Sequence, residues 1–237
     1  MLFFTQTAFL FGQNKTFKIE DYTVSTWNTF SGLASDSIIT IFQDKEKYLW
    51  IGTENEGLVR ARDGEFHTYT AADGLPSNSV LSLAYDPEGR LWIGTSRGLC
   101  YYDGNSFHVP VCAGENPFPD RNISGLVYHW DAGLLVASGA GLYGDGDSDP
   151  VLIPDTREVT FSAVWADQNG TVWCGTRDGR FFFWDGDSLN EKIVDGMKHT
   201  HIRSIYGGGP SGNLLVARDG GFWSIEDGGF GTPFHAA

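Results

Sequence analysis

The segment Leu49-Trp50-Ile51-Gly52-Thr53 decides the fold, because variants of it return at a nearly constant interval along the chain. Successive copies are centred 42, 43, 38 and 42 residues apart. A repeat of this length is typical of a propeller or a solenoid and argues against a doubly wound enzyme fold. The five central residues are Trp50, Trp92, Leu135, Trp173 and Leu215.

Turn-forming residues surround each copy of the segment. In the second copy, Asp86-Pro87-Glu88-Gly89 precedes it and Asp103-Gly104 follows it. Asp and Gly supply the side-chain hydrogen bonds and positive φ angles that tight hairpins need. The runs between turns hold only five to seven residues and are rich in Ile, Val, Phe, Tyr and Trp, which indicates strands. The strands predicted for this copy are Val80–Tyr85, Arg90–Thr95, Leu99–Tyr102 and Ser106–Val109.

Four short strands in about 40–45 residues make one propeller blade. The sequence therefore predicts an all-β fold, a β-propeller of four-stranded blades with about five repeats, in a single domain over residues 13–237. Either Tyr22–Trp27 or Gly229–Phe234 supplies the outer strand of the last blade and closes the ring. An opened fragment of a seven-bladed propeller is the alternative.

Large and small residues alternate along the repeated segment. Two residues after a central tryptophan stands a glycine, on the same face of the strand. We predict that the tryptophans are structural and wedge between neighbouring blades, while the glycines leave room for them. The pairs are Trp50 with Gly52, Trp92 with Gly94, and Trp173 with Gly175.

The first unit resembles the two-component regulator propeller repeat. It carries Trp50-Ile51-Gly52-Thr53, then Gly57-Leu58 and Asp63-Gly64, and it is followed by Asp73-Gly74-Leu75-Pro76. This family is best known from periplasmic sensor domains of bacterial hybrid two-component systems. The resemblance therefore implies a sensor-type propeller in signal transduction, periplasmic or secreted, that recognises a glycan, another small molecule or a protein partner.

The third and fifth units depart from this pattern. His129 stands where the turn aspartate belongs, and Ala137-Ser138 and Ala217-Arg218 replace Gly-Thr. Degenerate repeats are common in such arrays, so the departures leave the predicted fold unchanged.

The charge of the chain excludes some partners. Its 16 Lys and Arg against 30 Asp and Glu give a formal net charge of −14, and the basic residues are not clustered. Nucleic acids and anionic membrane surfaces both require clustered positive charge. We therefore expect no nucleic-acid partner and no direct membrane binding.

The first residues are apolar. Leu2–Phe11 is too short to span a bilayer, and it resembles the middle of a secretory signal without its basic start. We interpret residues 1–12 as a possible truncated signal segment, with a first strand packed into the ring as the alternative.

The sequence contains no coherent catalytic set, and it predicts a protein that is not an enzyme. The alternative is a lyase or hydrolase resembling streptogramin lyases, for which His199 and His201 are the candidate bases. No metal site or cofactor is predicted, because the spacing of Cys and His fits neither. Cys100 and Cys174 are expected to be small buried residues. Asp145–Asp149 is expected to be a solvated turn, with loose calcium binding as the alternative.

The predicted ligand site lies on the loops between the second and third strands of the blades, which vary most between repeats. Arginines at these loops offer planar forks to a carboxylate or uronic acid. Their ion pairing with neighbouring acids is the alternative, and exposed strand edges allow a homo-oligomer. The candidate ligand-binding residues are Arg97, Arg177 and Arg218, with Glu54 and Asn55 at another tip and Trp27 and Trp130 for stacking on a sugar.

Overall fold

The regular structure in the described part of the chain is almost entirely β-strand. The computed structural model describes residues 26–110, 118, 121–144, 150–167, 169–193, 199–207, 214–219, 221–226 and 229–230. Two short 3₁₀ turns, Thr29–Ser31 and Ala71–Asp73, interrupt the strands. The predicted signal segment and the predicted turn at Asp145–Asp149 lie outside the described residues. Over the described ranges, no helix has the length and apolarity to cross a membrane.

Each group of four consecutive strands forms one antiparallel sheet, and five such blades are present among the described residues. Blade 1 holds β1 (Ile38–Gln43), β2 (Leu49–Thr53), β3 (Leu58–Arg62) and β4 (Glu65–Tyr69). Blade 2 holds β5 (Val80–Tyr85), β6 (Leu91–Thr95), β7 (Gly98–Tyr102) and β8 (Phe107–His108). Blade 3 holds β9 (Ile123–His129), β10 (Gly133–Ser138), β11 (Gly141–Gly144) and β12 (Val151–Leu152). Blade 4 holds β13 (Phe161–Ala166), β14 (Val172–Thr176), β15 (Phe181–Trp184) and β16 (Leu189–Lys192). Blade 5 holds β17 (Ile202–Gly207), β18 (Leu214–Arg218), β19 (Gly221–Glu226) and β20 (Gly229–Phe230).

This architecture confirms the predicted β-propeller of five four-stranded blades. The repeated segment forms the second strand of every blade, where it pairs with both the first and the third strand. In blade 2 the strand predicted over Val80–Tyr85 has those bounds, and the next two begin within one residue of their predicted starts. The outer strand β8 is shorter than the predicted Ser106–Val109.

Successive blades pack through their first strands, which line the propeller axis. β1 packs on β5, β5 on β9, β9 on β13, and β13 on β17. The described residues show no comparable packing between β17 and β1. Of the two segments predicted to complete blade 5, Gly229–Phe234 supplies β20, whereas Trp27, the last residue of the other, is not in a strand.

The central tryptophans and their glycines act as predicted where two blades meet, although not all to the same extent. Trp50 is only 1% exposed, while Trp92 and Trp173 are half-buried. A Cβ atom added to Gly94 would lie 2.7 Å from Cγ2 and 2.8 Å from the carbonyl oxygen of Ile123 in blade 3. Close approach of the blades therefore requires glycine at this position.

The turn aspartate holds the tryptophan in place in three blades. In blade 1, Asp44 Oδ1 accepts the backbone N–H of Tyr48 at 2.8 Å, and Oδ2 accepts the indole Nε1–H of Trp50 at 2.8 Å. The same two bonds recur at the turns of blades 2 and 4, where the indole distances are 2.7 and 3.1 Å. One carboxylate thus links the turn to the core residue, which explains why this turn and this tryptophan recur together.

His129 performs the turn function of the aspartate in blade 3. Its Nδ1 accepts the backbone N–H groups of Asp131 at 3.2 Å and Ala132 at 3.0 Å. The ring proton must then lie on Nε2, which donates to the carbonyl oxygen of Gly170 in blade 4 at 3.0 Å. The departure of this repeat from the family pattern is therefore a structural replacement that also links two blades.

Candidate functional site

The two ends of the blades carry different connections. Because neighbouring strands are antiparallel, the loops from second to third strands and the connections between blades share one end, which we call the top end. The hairpin turns before the second and fourth strands share the other, the bottom end. The predicted polar site residues are all at the top end: Glu54, Asn55, Arg97 and Arg177 in loops, and Arg218 as the last residue of β18.

Backbone hydrogen bonds hold the top loops against the connections between blades. Glu54 N–H donates to the carbonyl of Ser37 at 3.1 Å, and Ser96 N–H donates to Ser79 at 3.0 Å. In blade 5, Asp219 N–H makes the same bond to His201 at 3.1 Å. The loop tips therefore present their side chains from a repeated, fixed backbone frame.

The three predicted arginines differ in their surroundings. Arg97 and Arg177 are exposed, and neither makes an ion pair with any described residue. Arg218 is half-buried, and its guanidinium lies 5.3 Å from the ring centroid of Trp223 and donates to the carbonyl of Asp219 at 3.4 Å. Arg97 and Arg177 are thus available to an anionic ligand, whereas Arg218 is engaged within blade 5.

The acids near these arginines are already paired, but with other cations. Asp219 accepts from Arg203 Nε at 2.6 Å, and Asp178 accepts from Arg180 Nε at 3.1 Å. Ion pairing, which was the alternative to a ligand site, therefore occupies Asp178 and Asp219 but does not occupy Arg177. The Thr176 hydroxyl also donates to Asp178. This hydrogen bond and the nearby charge of Arg180 lower the pKa of the Asp178 carboxyl.

His201 lies half-buried between blades 4 and 5 at the top end. Burial and the positive charges of Arg203 and Arg177 lower the pKa of its imidazole, and the charge of Asp219 only partly offsets them. The imidazole is therefore neutral at neutral pH. His199 is exposed, and its backbone N–H donates to the carbonyl of Asp178 at 2.9 Å. Arg177, His201 and the Arg203–Asp219 pair form a polar group that we call the blade 4–5 cluster.

Sequence reasoning missed Arg203 in this cluster. Arg203 is the second residue of β17, where the pairing of β17 with β18 shifts register between Ile202 and Ser204. The same register shift occurs at the start of the first strand in every blade, so the side chain at this position could have been recognised from the aligned repeats. Arg121 and Arg157 were also missed, and both are exposed on connections between blades at the top end.

The two candidate stacking residues are not brought together with the arginines. Trp27 is half-buried against the edge of Phe66, with ring centroids 5.4 Å apart, and Tyr69 and Phe107 make the equivalent contact at 5.2 Å. Trp27 therefore occupies a packing position of the repeat. Trp130 is 68% exposed but belongs to the turn between β9 and β10, which places it at the bottom end.

Asp103, Ser106 and His108 have the residue types of a catalytic triad but not its geometry. His108 Nε2 lies 2.8 Å from Asp103 Oδ2 and 3.1 Å from Ser106 Oγ, so both partners contact the same ring nitrogen. A relay needs one partner on each nitrogen. Backbone N–H bonds from Ser106 and Asn105, with His108, lower the pKa of Asp103 to about 2, as expected for a hairpin turn. Among the described residues, no group of three or more His, Cys, Asp or Glu could hold a metal ion.

Comparisons with solved structures show the same fold in larger proteins. The chain aligns with the extracellular domain of the B. thetaiotaomicron hybrid two component system BT3049 at a TM-score of 0.71 and 20% identity, covering 89% of this chain and 32% of that one. The corresponding domain of BT4673 gives a TM-score of 0.57 and 18% identity over 86% of this chain and 33% of that one. The virginiamycin B lyase of Staphylococcus aureus gives 0.64 and 11% identity over 84% of this chain and 70% of that one.

Sequence comparison identifies the repeats themselves. No curated protein sequence matches the chain. The family model described as the two component regulator propeller matches residues 32–55 and 74–97, which run from the blade connections through the repeated segments of blades 1 and 2. The resemblance predicted from the sequence is confirmed for these two repeats, and the chain is a β-propeller in which the repeats of blades 1 and 2 match the two component regulator propeller.

Proposed function

We propose that this propeller is a non-enzymatic sensor module that binds an acidic glycan at the top end of blades 4 and 5. The observation that carries the proposal is Arg177, an exposed guanidinium beside His201 that makes no ion pair with the described residues. In a chain with a net charge of −14, an exposed arginine without an acidic partner is available to an anionic ligand, and Arg177 is the one of these arginines that lies beside His201. The likeness to extracellular domains of two component systems supports a signalling role outside the cytoplasm.

The chemistry of the cluster suits a sugar carboxylate. Arg177 offers a planar pair of donors to a uronic acid, and a bidentate bond of this kind fixes both position and orientation. His201 is neutral, so it adds a hydrogen-bonding group without charge. Arg97 is also exposed and lacks an ion pair among the described residues, but it lies two blades away, so the proposed site is built on Arg177 and His201.

The test is a calorimetric titration with trigalacturonate as an acidic probe and maltotriose as a neutral one. We expect trigalacturonate alone to bind, and Arg177→Gln to weaken its binding by about tenfold or more, since a charged hydrogen bond contributes about 1.5–3 kcal/mol. Binding should weaken as salt rises. The control is Arg62→Gln, an exposed arginine at the bottom end of β3 that pairs with Asp63, and this variant should bind like the wild type. Binding that is insensitive to Arg177→Gln would contradict the proposed site.

A lyase is the second candidate, and His201 is the observation that favours it. A neutral imidazole near Asp219 is the minimum that a general base requires. The shared fold with a virginiamycin B lyase motivates the test, in which virginiamycin B and trigalacturonate are incubated with the chain and products are followed by mass spectrometry. Turnover that disappears in His201→Ala would favour the lyase, whereas binding without turnover favours the sensor.

A further inference from the structure

The outward face of blade 5 carries the same side chains that join the other blades to one another. Phe222 pairs with Ala217, as Leu58 pairs with Gly52 and Phe181 with Gly175, so the three residues occupy equivalent positions. Leu58 and Phe181 are 0% and 1% exposed, because the next blade covers them, whereas Phe222 is 47% exposed.

Two neighbours of Phe222 repeat this contrast. Leu215 is equivalent to Trp50 and Leu135, which are fully buried, yet Leu215 is 41% exposed. Tyr206, the partner of Leu215 in β17, is also exposed. Phe222, Leu215 and Tyr206 form an apolar surface that we call the blade 5 face.

The internal junctions show what this kind of face contacts. At the junction of blades 2 and 3, Leu99 and Ala84 pack in one cluster with Ile123 and Leu126 of β9. At the junction of blades 4 and 5, Phe181 packs with Ile202 and Ile205 of β17 in the same way. The partner surface therefore consists of the first and fourth residues of the next blade's first strand.

A hydroxyl fixes the register at several of these junctions. Ser82 donates to the carbonyl of Ile123 at 3.2 Å, and Ser162 donates to the carbonyl of Ile202 at 2.7 Å. In each case the acceptor is the first residue of the next first strand. Ser204 of blade 5 pairs with Ala217 as Ser82 pairs with Gly94, and its side chain is exposed on the same face. The blade 5 face thus offers the apolar contacts and also the Ser204 hydroxyl, which is equivalent to the Ser82 hydroxyl that donates to the next blade.

Blade 1 presents the complementary surface. Its first strand begins at Ile38 and continues to Ile41, which pairs with Ile51 as Ile205 pairs with Val216. Ile205 is buried against blade 4, whereas Ile41 is 37% exposed. Ile51 itself is 2% exposed and packs with Leu33 of the segment before β1. Ile38 is half-buried, and we call Ile38 and Ile41 the blade 1 face.

We propose that the blade 5 face of one copy of this chain docks against the blade 1 face of a second copy and continues the blade-to-blade seam between molecules. The two faces differ, so the contact is head-to-tail, and each added copy leaves one face of each kind free. Propellers typically close with four to eight blades, so we expect ten blades not to share one flat ring and the copies to be displaced along the axis. Assembly is therefore open-ended and increases with concentration.

The test measures mass by light scattering over a concentration series. The wild type should exceed the monomer mass of 26.0 kDa and grow with concentration. Phe222→Glu and Ile41→Glu should each raise the concentration needed for association by about tenfold or more, as expected when an apolar anchor at an interface is lost. Ile193→Glu is the control, because Ile193 is exposed on neither face and should not change the mass.

Mixing the two variants is the decisive step. Phe222→Glu retains its blade 1 face and Ile41→Glu retains its blade 5 face, so an equimolar mixture should form a dimer that grows no further. Circular dichroism checks that each variant folds, and Leu215→Gln replaces Phe222→Glu if the latter does not. A wild type that stays monomeric overturns the proposal. Association that survives Ile41→Glu but not Phe222→Glu also overturns it, because it shows a symmetric contact between two blade 5 faces.

Discussion

Replacing Trp50 with alanine should destabilise the propeller more than the same change in any other blade. A tryptophan buries about 150–250 Å², which at about 25 cal/mol per Å² corresponds to roughly 4–6 kcal/mol. Partial collapse of the cavity reduces the loss, so Trp50→Ala should cost about 3–5 kcal/mol. Trp92 is half-buried, and Trp92→Ala should cost less.

The contribution of the indole N–H can be separated from that of the ring. Trp50→Phe retains an aromatic ring beside Tyr69 and Tyr102 but removes the donor to Asp44, which should cost about 1.5–3 kcal/mol. Urea unfolding followed by circular dichroism measures all three variants. The reasoning is refuted if Trp50→Ala costs less than about 1 kcal/mol, or if Trp92→Ala costs more than Trp50→Ala.

Three further predictions concern packing, pH and thiol reactivity. Gly94→Ala should lower the free energy of unfolding in urea by about 1–3 kcal/mol, because the added Cβ meets the neighbouring blade. Gly144→Ala has more room and should cost less. Equal costs would contradict the close packing of blades at Gly94. Burial raises the pKa of Asp86, but hydrogen bonds from Arg90 and Trp92 outweigh burial and lower that pKa. Asp86→Asn should therefore reduce the free energy of unfolding above about pH 4, and the difference from the wild type should fade as the pH falls. A difference that does not depend on pH would contradict this. Burial raises the pKa of Cys100 to about 12, so iodoacetamide should label its thiol only after the chain unfolds. Peptide mass spectrometry measures the labelling. Rapid labelling of the folded chain would show that Cys100 is not buried.

The fold could be predicted because each repeat carries both its turns and its packing residues. The strand Val80–Tyr85 was predicted with the bounds it has, since an Asp-containing turn and a run of apolar residues delimit it. The short outer strand β8 was less well defined, because outer strands have one neighbour and few buried residues to set their ends. The role of His129 could not be read from sequence, because it depends on a carbonyl in the next blade, 41 residues later.

The site was predictable only in part, and for a related reason. Loop position identified Arg97 and Arg177, because strand order alone places those loops at the top end. Trp130 was grouped with them by residue type, although its hairpin turn lies at the opposite end. The state of His201 depends on Arg203 and Asp219, whose proximity arises from the pairing of β17 with β18.

Hydrogen exchange with mass spectrometry, in the presence and absence of trigalacturonate, tests the proposed site most directly. Backbone amides of residues 176–180 and 199–203 should become protected, because these segments form the blade 4–5 cluster and are joined by the bond from His199 to Asp178. The hairpin turn that contains Trp130 should be unchanged. Protection at that bottom turn, or no protection at the top end of blades 4 and 5, would contradict the proposed binding site.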